Sequence, residues 1–393
     1  MMDDIIIGSA VRTPIGSLNG VLAPLPAPRL GSLVIAEAIR RAGIEPGQVD
    51  EVYMGNVVGA GMGYAPARQA AISAGLPNSV GAATINKVCG SSLKAAILAV
   101  QAIRTGDAQV IVAGGMESMS QTPYLLDKAR TGYQMGHGQL IDSMIRDGLW
   151  EVFNDCHVGV CAETCAEQYQ ISREEQDRYA IQSYTRALDA QREGRFKAEL
   201  IPVQVEGPRG ETLLVEEDEE PGRVDFDRIS HIVPAFKEGG TITAANAPSV
   251  NDGAAAVTVL SGRRAAQLGI KPLARIVGYA QAALAPEWFS ITPAEAINEV
   301  LKRTGLRLED IDVFEINEAF AVVALANLQI LGLTEDRVNL KGGAVALGHP
   351  IGATGARILT TLLYLIQERE VRRGLCALCL GGGEGIALIV ERI

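Results

Sequence analysis

Short, continuously apolar runs alternate along the chain with longer stretches in which apolar residues recur every three or four positions. Ile5-Ile6-Ile7, residues 52–58 and residues 110–113 read as strands, whereas residues 92–104 place Leu93, Ala96, Ile97, Val100 and Ile103 at helical spacing. Strands alternating with helices predict an α/β layered fold. The same grammar returns near the C-terminus. Val313-Phe314 leads to Asn317 as Val52-Tyr53 leads to Asn56, a helix is predicted over 353–368, and an apolar strand over 376–380. Two strands also end alike, in Ala113-Gly114-Gly115 and Leu380-Gly381-Gly382-Gly383. These parallels predict a long internal duplication, with two matched α/β halves facing each other and one active site between them.

The stretch from 121 to 250 breaks the pattern. It holds a glycine-containing segment at 131–138, a polar helix at 173–193 and the acidic run 216–220, expected to be a solvated loop. After it, Asn251-Asp252-Gly253 opens an alanine-rich apolar segment that can rejoin the first half. The predicted organisation is therefore an N-terminal half from 1–120 with 251–270, an inserted domain at 121–250, and a C-terminal half at 271–393.

Composition narrows the function classes. A chain of 393 residues, 48% hydrophobic and 21% charged, has the makeup of a globular enzyme with a large core. A formal charge of −11 argues against general binding to nucleic acid or anionic membrane, and leaves room for a few basic residues to hold an anionic small substrate. The acidic start Met1-Met2-Asp3-Asp4 lacks the basic, apolar character of a secretory signal, and no apolar run is long enough to span a bilayer. The expectation is a cytoplasmic protein. Six cysteines in a chain of this size are better read as buried apolar residues, metal ligands or nucleophiles than as a disulfide scaffold.

Cys89 sits in Asn86-Lys87-Val88-Cys89-Gly90-Ser91-Ser92, at a predicted strand-to-helix turn. A helix N-terminus aimed at a thiol favours its thiolate, and glycine beside it permits close approach of a ligand. A cysteine there is otherwise a small buried hydrophobe. His349, one of four histidines, lies in the glycine-rich loop 342–355, just before a helix. It can exchange protons near neutral pH or donate to a developing oxyanion. The same Gly-x-x-Gly spacing suits a phosphate cradle, but the Gly-Lys-Ser/Thr ending of the common nucleotide loop is missing. Cys376 and Cys379 form a Cys-x-x-Cys inside an apolar strand, where alternate residues face opposite ways. That spacing is a weak redox or zinc signal. Cys379, followed by three glycines, reads instead as a catalytic thiol beside a flexible turn. Cys156-His157, Cys161 and Cys165 hint at a metal site that lacks further ligands. Asn317, at a strand end in Asn317-Glu318-Ala319-Phe320-Ala321, is suited either to a structural turn or to positioning water against a carbonyl.

Together, the segments 86–94, 317–321, 342–357 and 379–383 resemble the thiolase family, most closely its biosynthetic branch, over essentially the full length and in the family's order. The resemblance implies the thiolase fold, with two duplicated α/β halves carrying mixed five-stranded sheets in a layered α-β-α-β-α arrangement, plus a CoA-binding loop domain. It implies that Cys89 carries the acyl group, that His349 helps form its thiolate, and that Cys379 moves the α-proton of the second acyl-CoA. His349 and a water on Asn317 would hold the enolate oxygen, and the N–H groups of Cys89 and Gly381 the tetrahedral intermediate. His157, Phe236, Ala244, Ser249 and Phe320 are implied for the pantetheine tunnel. The segment 124–148 resembles the branch's tetramerisation loop and implies a homotetramer built as two dimers. CoA and acyl-CoA are implied as substrates, with no metal and no other cofactor.

The chain departs from the branch at Val158, Trp288-Phe289, Ala245, Pro248 and Glu384. The first two sites bear on the acyl end, so a degradative 3-ketoacyl-CoA thiolase accepting longer chains stands beside acetoacetyl-CoA synthesis and cleavage. A catalytically silent acyl-CoA or lipid-binding relative would need neither thiol, and a decarboxylating condensing enzyme would use a single cysteine. A carboxylate at Glu384 facing the thiols would raise their pKa values.

Overall fold

Strand Ile5–Arg12 is the seam of the fold. In the computed structural model, which describes residues 4–207 and 210–393, it pairs antiparallel with Asn251–Ser261 on one side and with Ala274–Ala283 on the other. Beyond Asn251–Ser261 follow Val110–Ser118, Glu51–Gly55 and the edge strand Gly81–Ile85; beyond Ala274–Ala283 follow Glu384–Glu391, Arg373–Leu380 and Val313–Ile316. The two halves therefore share one mixed hydrogen-bonded sheet. Their link is narrow, resting on Ile6 opposite Arg275 and Ile7 opposite Ala274.

Burial sorts the sheet into layers. The helices Ser91–Thr105 and Thr354–Glu368 form the middle layer, where Leu93, Ile97 and Val100 share one core with Leu359, Leu362 and Ile366 and with strands of both halves. Ala27–Ala42 and Pro66–Ser73 cover the outer face of the first half, and Thr292–Thr304 and Ala321–Leu331 that of the second. A register shift between Ile7 and Ser9 keeps Ile5, Ile7 and Ala10 facing the middle layer while Ile6 and Val11 face outward. The α-β-α-β-α order expected from the sequence is present.

The second half differs from the expected five strands. Among the described residues it contributes four, plus a single bridge between Phe314 and Val338. The cause is Asn339, which turns the chain at φ 51°. Its amide accepts from the Ile316 N–H (2.9 Å) and donates to the Ile316 carbonyl (2.8 Å), occupying positions that a fifth strand would take. Element ends shifted for similar reasons. The first-half strand predicted to reach 58 stops at Gly55, because the N–H groups of Val57 and Val58 go to the Glu117 carboxylate instead of a ladder.

The acidic run 216–220 is not a solvated loop throughout. Glu216 and Glu217 are exposed, but Asp218 is buried against Arg12, with paired contacts of 2.7 and 2.9 Å. Arg12 also donates to Glu199 at 2.7 Å and lies over the Phe196 ring. A buried guanidinium at the end of the seam strand requires counter-charge, and the insertion supplies it. The polar helix Arg173–Arg192 starts on a reciprocal Ser172–Glu175 capping box. Among the described residues no helix is long and apolar enough to cross a membrane.

Candidate active site

Cys89 lies between strand Gly81–Ile85 and helix Ser91–Thr105 in a tightly tied loop. Asn86 Oδ1 accepts from the Val88 N–H (3.1 Å), Ser91 Oγ accepts from the Lys87 N–H (2.8 Å), and the Ser91 hydroxyl donates to the Val88 carbonyl (2.6 Å). Val88 is held at φ 46°, a left-handed conformation that costs a β-branched residue about 1–3 kcal/mol. Local bonds hold this strain immediately before the sulfur. Gly90 is needed for close approach, since a Cβ there would fall 2.4 Å from Leu380 Cδ2 of the other half.

Gly381, from the opposite half, lines the cavity beside Cys89, and its backbone N–H and that of Cys89 act to lower the thiol pKa. Burial outweighs both donors and, with the Glu117 charge adding to it, pushes the thiol up to about 11. Cys379 is buried, and its thiol is held well above the usual range by burial first and by the proximity of Cys89 second. At rest both groups are thiols.

His349 is buried, and burial followed by the Arg357 charge lowers its pKa to about 3. Its Nδ1 lies 2.7 Å from Thr354 Oγ1, whose hydroxyl donates to the Pro350 carbonyl at 2.9 Å. With that hydroxyl proton committed, Nδ1 carries the ring hydrogen and Nε2 keeps its lone pair. Nε2 has no protein partner. The ring is thus a neutral base aimed by its far nitrogen. The backbone N–H of His349 donates to Asn251 Oδ1 (2.8 Å), which also accepts from the Ser249 hydroxyl (2.9 Å).

This depressed pKa predicts a pH effect on stability. A group whose folded pKa lies below its unfolded value stabilises the fold above the unfolded pKa and loses that contribution as pH falls. For His349 the window runs from 6.5 down to about 3. Its share of the unfolding free energy is expected to fall by about 1.4 kcal/mol per pH unit there. Urea denaturation of wild type and His349→Asn between pH 4 and 7 checks this: the wild type should be the steeper, and parallel slopes would contradict the assignment.

Cys89, His349, Cys379 and Gly381 line one cavity of about 180 Å³, together with His157, Phe236, Ser249 and Phe320. Residues separated by up to 292 positions in the chain meet there. Its apolar wall is ordered by rings: His157 stacks on Phe236 at 4.6 Å, and Phe236 meets Phe320 edge-on at 5.9 Å. Asn317 is buried and does not line this cavity, and neither of its side-chain polar atoms is bonded to protein. Ala244 does not join them. It is exposed, because Glu163 and Asn246 pin the flanking residues 241–243 to the interior and leave it outside. The strand separates Cys376 from Cys379: the former packs in the middle-layer core and the latter beside Phe289 and Phe320.

Of the departing positions, Val158, Phe289 and Pro248 line the cavity, whereas Trp288 does not. Ala245 is buried. Glu384 is turned away from the cavity and paired with Lys87, so it is not a carboxylate facing the two thiols.

Sequence reasoning missed Glu117, which is fully buried and joins the loop after strand Glu51–Gly55 to the His349 loop. Its carboxylate accepts from Asn56 Nδ2 (2.7 Å), the Val57 N–H (3.1 Å) and the Gly352 N–H (2.8 Å), three residues past His349. Gly115 and Gly352 make this contact possible, since a Cβ on Gly115 would lie 2.1 Å from the Gly352 carbonyl oxygen. The available signal was an acid ending a strand just after Gly114-Gly115. Glu151 was missed too; it accepts from the Gly382 N–H at 3.0 Å and steadies the turn beside Cys379.

Residues 5–263 match the description of the thiolase N-terminal domain and residues 270–392 that of the thiolase C-terminal domain. The chain belongs to the thiolase family. It is 51% identical to acetyl-CoA acetyltransferase 2 of Arabidopsis thaliana, over 99% of this chain and 97% of that one. Among solved structures it is similar to the acetyl-CoA acetyltransferase of Bacillus anthracis (TM-score 0.97, 39% identity, 100% and 99% of the two chains). It is likewise similar to the Acat5 thiolase from Ascaris suum in complex with coenzyme A (TM-score 0.93, 42% identity, 99% and 100% coverage).

Proposed function

We propose that the protein is an acetyl-CoA C-acetyltransferase that joins two acetyl-CoA into acetoacetyl-CoA and CoA, and runs the reverse thiolysis, through an acetyl group on Cys89. The observation that carries this reading is that Cys89, Cys379, His349 and Gly381, brought from both halves, line one cavity. His349 Nε2 takes the Cys89 proton as the sulfur attacks the thioester carbonyl, and the N–H groups of Cys89 and Gly381 stabilise the oxyanion. The departing CoA sulfur receives the proton of Cys379, which leaves acetyl-Cys89, imidazolium and a Cys379 thiolate. That thiolate takes an α-proton from the second acetyl-CoA. The Nε2–H of His349, together with a water on the unpartnered Asn317 amide, holds the enolate oxygen. Carbon–carbon bond formation expels the Cys89 thiolate, which recovers its proton from His349. Every proton is returned and no redox equivalent is consumed.

His157, Phe236, Ser249 and Phe320 form the pantetheine wall in this reading. The division into 1–120 with 251–270, 121–250 and 271–393 belongs to it as well, supported by the pairing of Asn251–Ser261 with strands of the first half. So does a cytoplasmic homotetramer, built through residues 124–148. Six free thiols fit a reducing compartment, and exposed Tyr124, Leu126, Met135 and Leu140 fit an assembly surface.

Val158 and Phe289 in the cavity wall support a second reading, a 3-ketoacyl-CoA thiolase for longer chains. A chain-length series of 3-ketoacyl-CoA substrates, read as kcat/KM with CoA, separates the two. The first reading predicts that the four-carbon substrate exceeds the eight-carbon one by about tenfold or more, equivalent to roughly 1.4 kcal/mol. The reverse order would overturn it in favour of the second.

A further inference from the structure

The cysteines at 156, 161 and 165 are unused by this chemistry. Among the described residues no group of three His, Cys, Asp or Glu side chains is placed to hold a metal. Two of the thiols do meet: Cys156 Sγ and Cys161 Sγ are 3.7 Å apart. Their places explain the contact. Helix Val158–Tyr169 is capped by His157, whose Nδ1 accepts from the Gly159 N–H at 3.0 Å. Cys156 thus precedes the cap and Cys161 is the fourth helical residue, the two positions where apolar side chains normally clasp to set the angle at which a chain enters a helix. Here the clasp is a dithiol.

We propose that Cys156 and Cys161 are an oxidative modification site, converted to an intramolecular disulfide by a low-molecular-weight disulfide such as oxidised glutathione. The half-buried Cys156 attacks as thiolate, one sulfur of the oxidant leaves as a thiol, and a mixed disulfide forms. Buried Cys161 then attacks the Cys156 sulfur and expels the second thiol. Two cysteine thiols become one disulfide, and one small disulfide becomes two thiols. Cys165, one turn further on, is fully buried, so it does not compete.

The bond acts on the neighbouring site, a consequence that rests on the thiolase reading above. Cys156 and His157 pair with Glu151 and Trp150 in a two-residue ribbon. Glu151 holds the Gly382 N–H of the catalytic turn, and His157 stacks on Phe236 in the cavity wall. Closing the sulfurs from 3.7 Å to a bond of about 2 Å draws the ribbon onto the helix and disturbs both.

The test equilibrates the full-length wild type, Cys161→Ser and Cys156→Ser in graded mixtures of oxidised and reduced glutathione, followed by acid quench and peptide mass mapping. The expected result is a Cys156–Cys161 linkage in wild type alone. In parallel, the KM for CoA in thiolysis of acetoacetyl-CoA should rise by about fivefold, equivalent to about 1 kcal/mol, and return on adding dithiothreitol. Both serine variants should keep their KM. Persistence of both thiols as free, alkylatable groups under strongly oxidising mixtures would overturn the site. A linkage that leaves KM unchanged would overturn its coupling to the cavity. If the thiolase reading is wrong, turnover is absent in every sample while the mass map still reports on the linkage, so the two failures are distinguishable.

Discussion

Replacing Cys89 by serine is expected to lower kcat for thiolysis of acetoacetyl-CoA by about four orders of magnitude while changing the Kd for CoA by less than about twofold. The substitution is nearly isosteric, so the cavity wall that would hold pantetheine is retained. What is lost is the nucleophile. Burial and the Glu117 charge already push the thiol up to about 11 in the resting enzyme, and His349, lowered to about 3, is a weak base. In the proposed mechanism this pair works because sulfur is intrinsically nucleophilic and the charge that develops meets the N–H groups of Cys89 and Gly381 at once. A serine hydroxyl, far less acidic than a thiol, asks the same weak base for several more kcal/mol. Steady-state kinetics and calorimetric titration with CoA together check the prediction. A kcat within tenfold of wild type would remove Cys89 from the acyl-transfer role.

Cys379→Ala separates the two half-reactions. Mixed with acetyl-CoA, this variant is expected to gain one acetyl group on the Cys89 peptide, since attack, imidazole and oxyanion donors are all retained. Departing CoA can leave as a thiolate, because its sulfur is a far better leaving group than an alkoxide. Condensation should then fall by about a thousandfold, because no other group with a proton-accepting sulfur faces the second substrate. The buried environment matters to this role. Desolvation holds Cys379 protonated at rest, and the same desolvation makes its thiolate a strong base once formed. Mass spectrometry of the acetylated peptide and a condensation assay give the two readouts. Unimpaired condensation would dismiss Cys379 as the base, and absence of acetylation would mean that its proton is indispensable to CoA departure in the first step.

The legible parts of the site were those written in short, dense segments. Cys89, His349 and Gly381 stand among glycines that permit turns and close approach, and residue type alone suggested their chemistry. Cys379 was separable from Cys376 because strand alternation sends them to different faces, and they pack in different cores. The layers were legible because strands such as Ile5–Arg12, Val110–Ser118 and Arg373–Leu380 are buried along nearly their whole length.

What the local pattern concealed was every contact made by one polar group across the chain. Asp218 looked like part of a solvated acidic run, yet it neutralises Arg12 from 206 positions away. Asn339 replaced a strand with an amide, and periodicity carries no trace of such a substitution. Glu117 ended one strand early and fastened the His349 loop through Gly352, 235 positions distant. Ala244, assigned to the tunnel by resemblance alone, faces outward because Glu163 and Asn246 hold the backbone of residues 241–243 just before it. Glu384 illustrates the converse, since a charge near a catalytic motif found its own partner in Lys87.

The proposed reaction requires the sulfurs of Cys89 and Cys379 to share one cavity between the halves. Treating the native protein with a short bis-alkylating reagent such as dibromobimane, then mapping the labelled peptides, measures this directly. The expected products include a bridged species joining the Cys89 and Cys379 peptides, and prior acetylation with acetyl-CoA should abolish that bridge. Independent labelling of the two cysteines, with no bridged peptide at any reagent concentration, would contradict it.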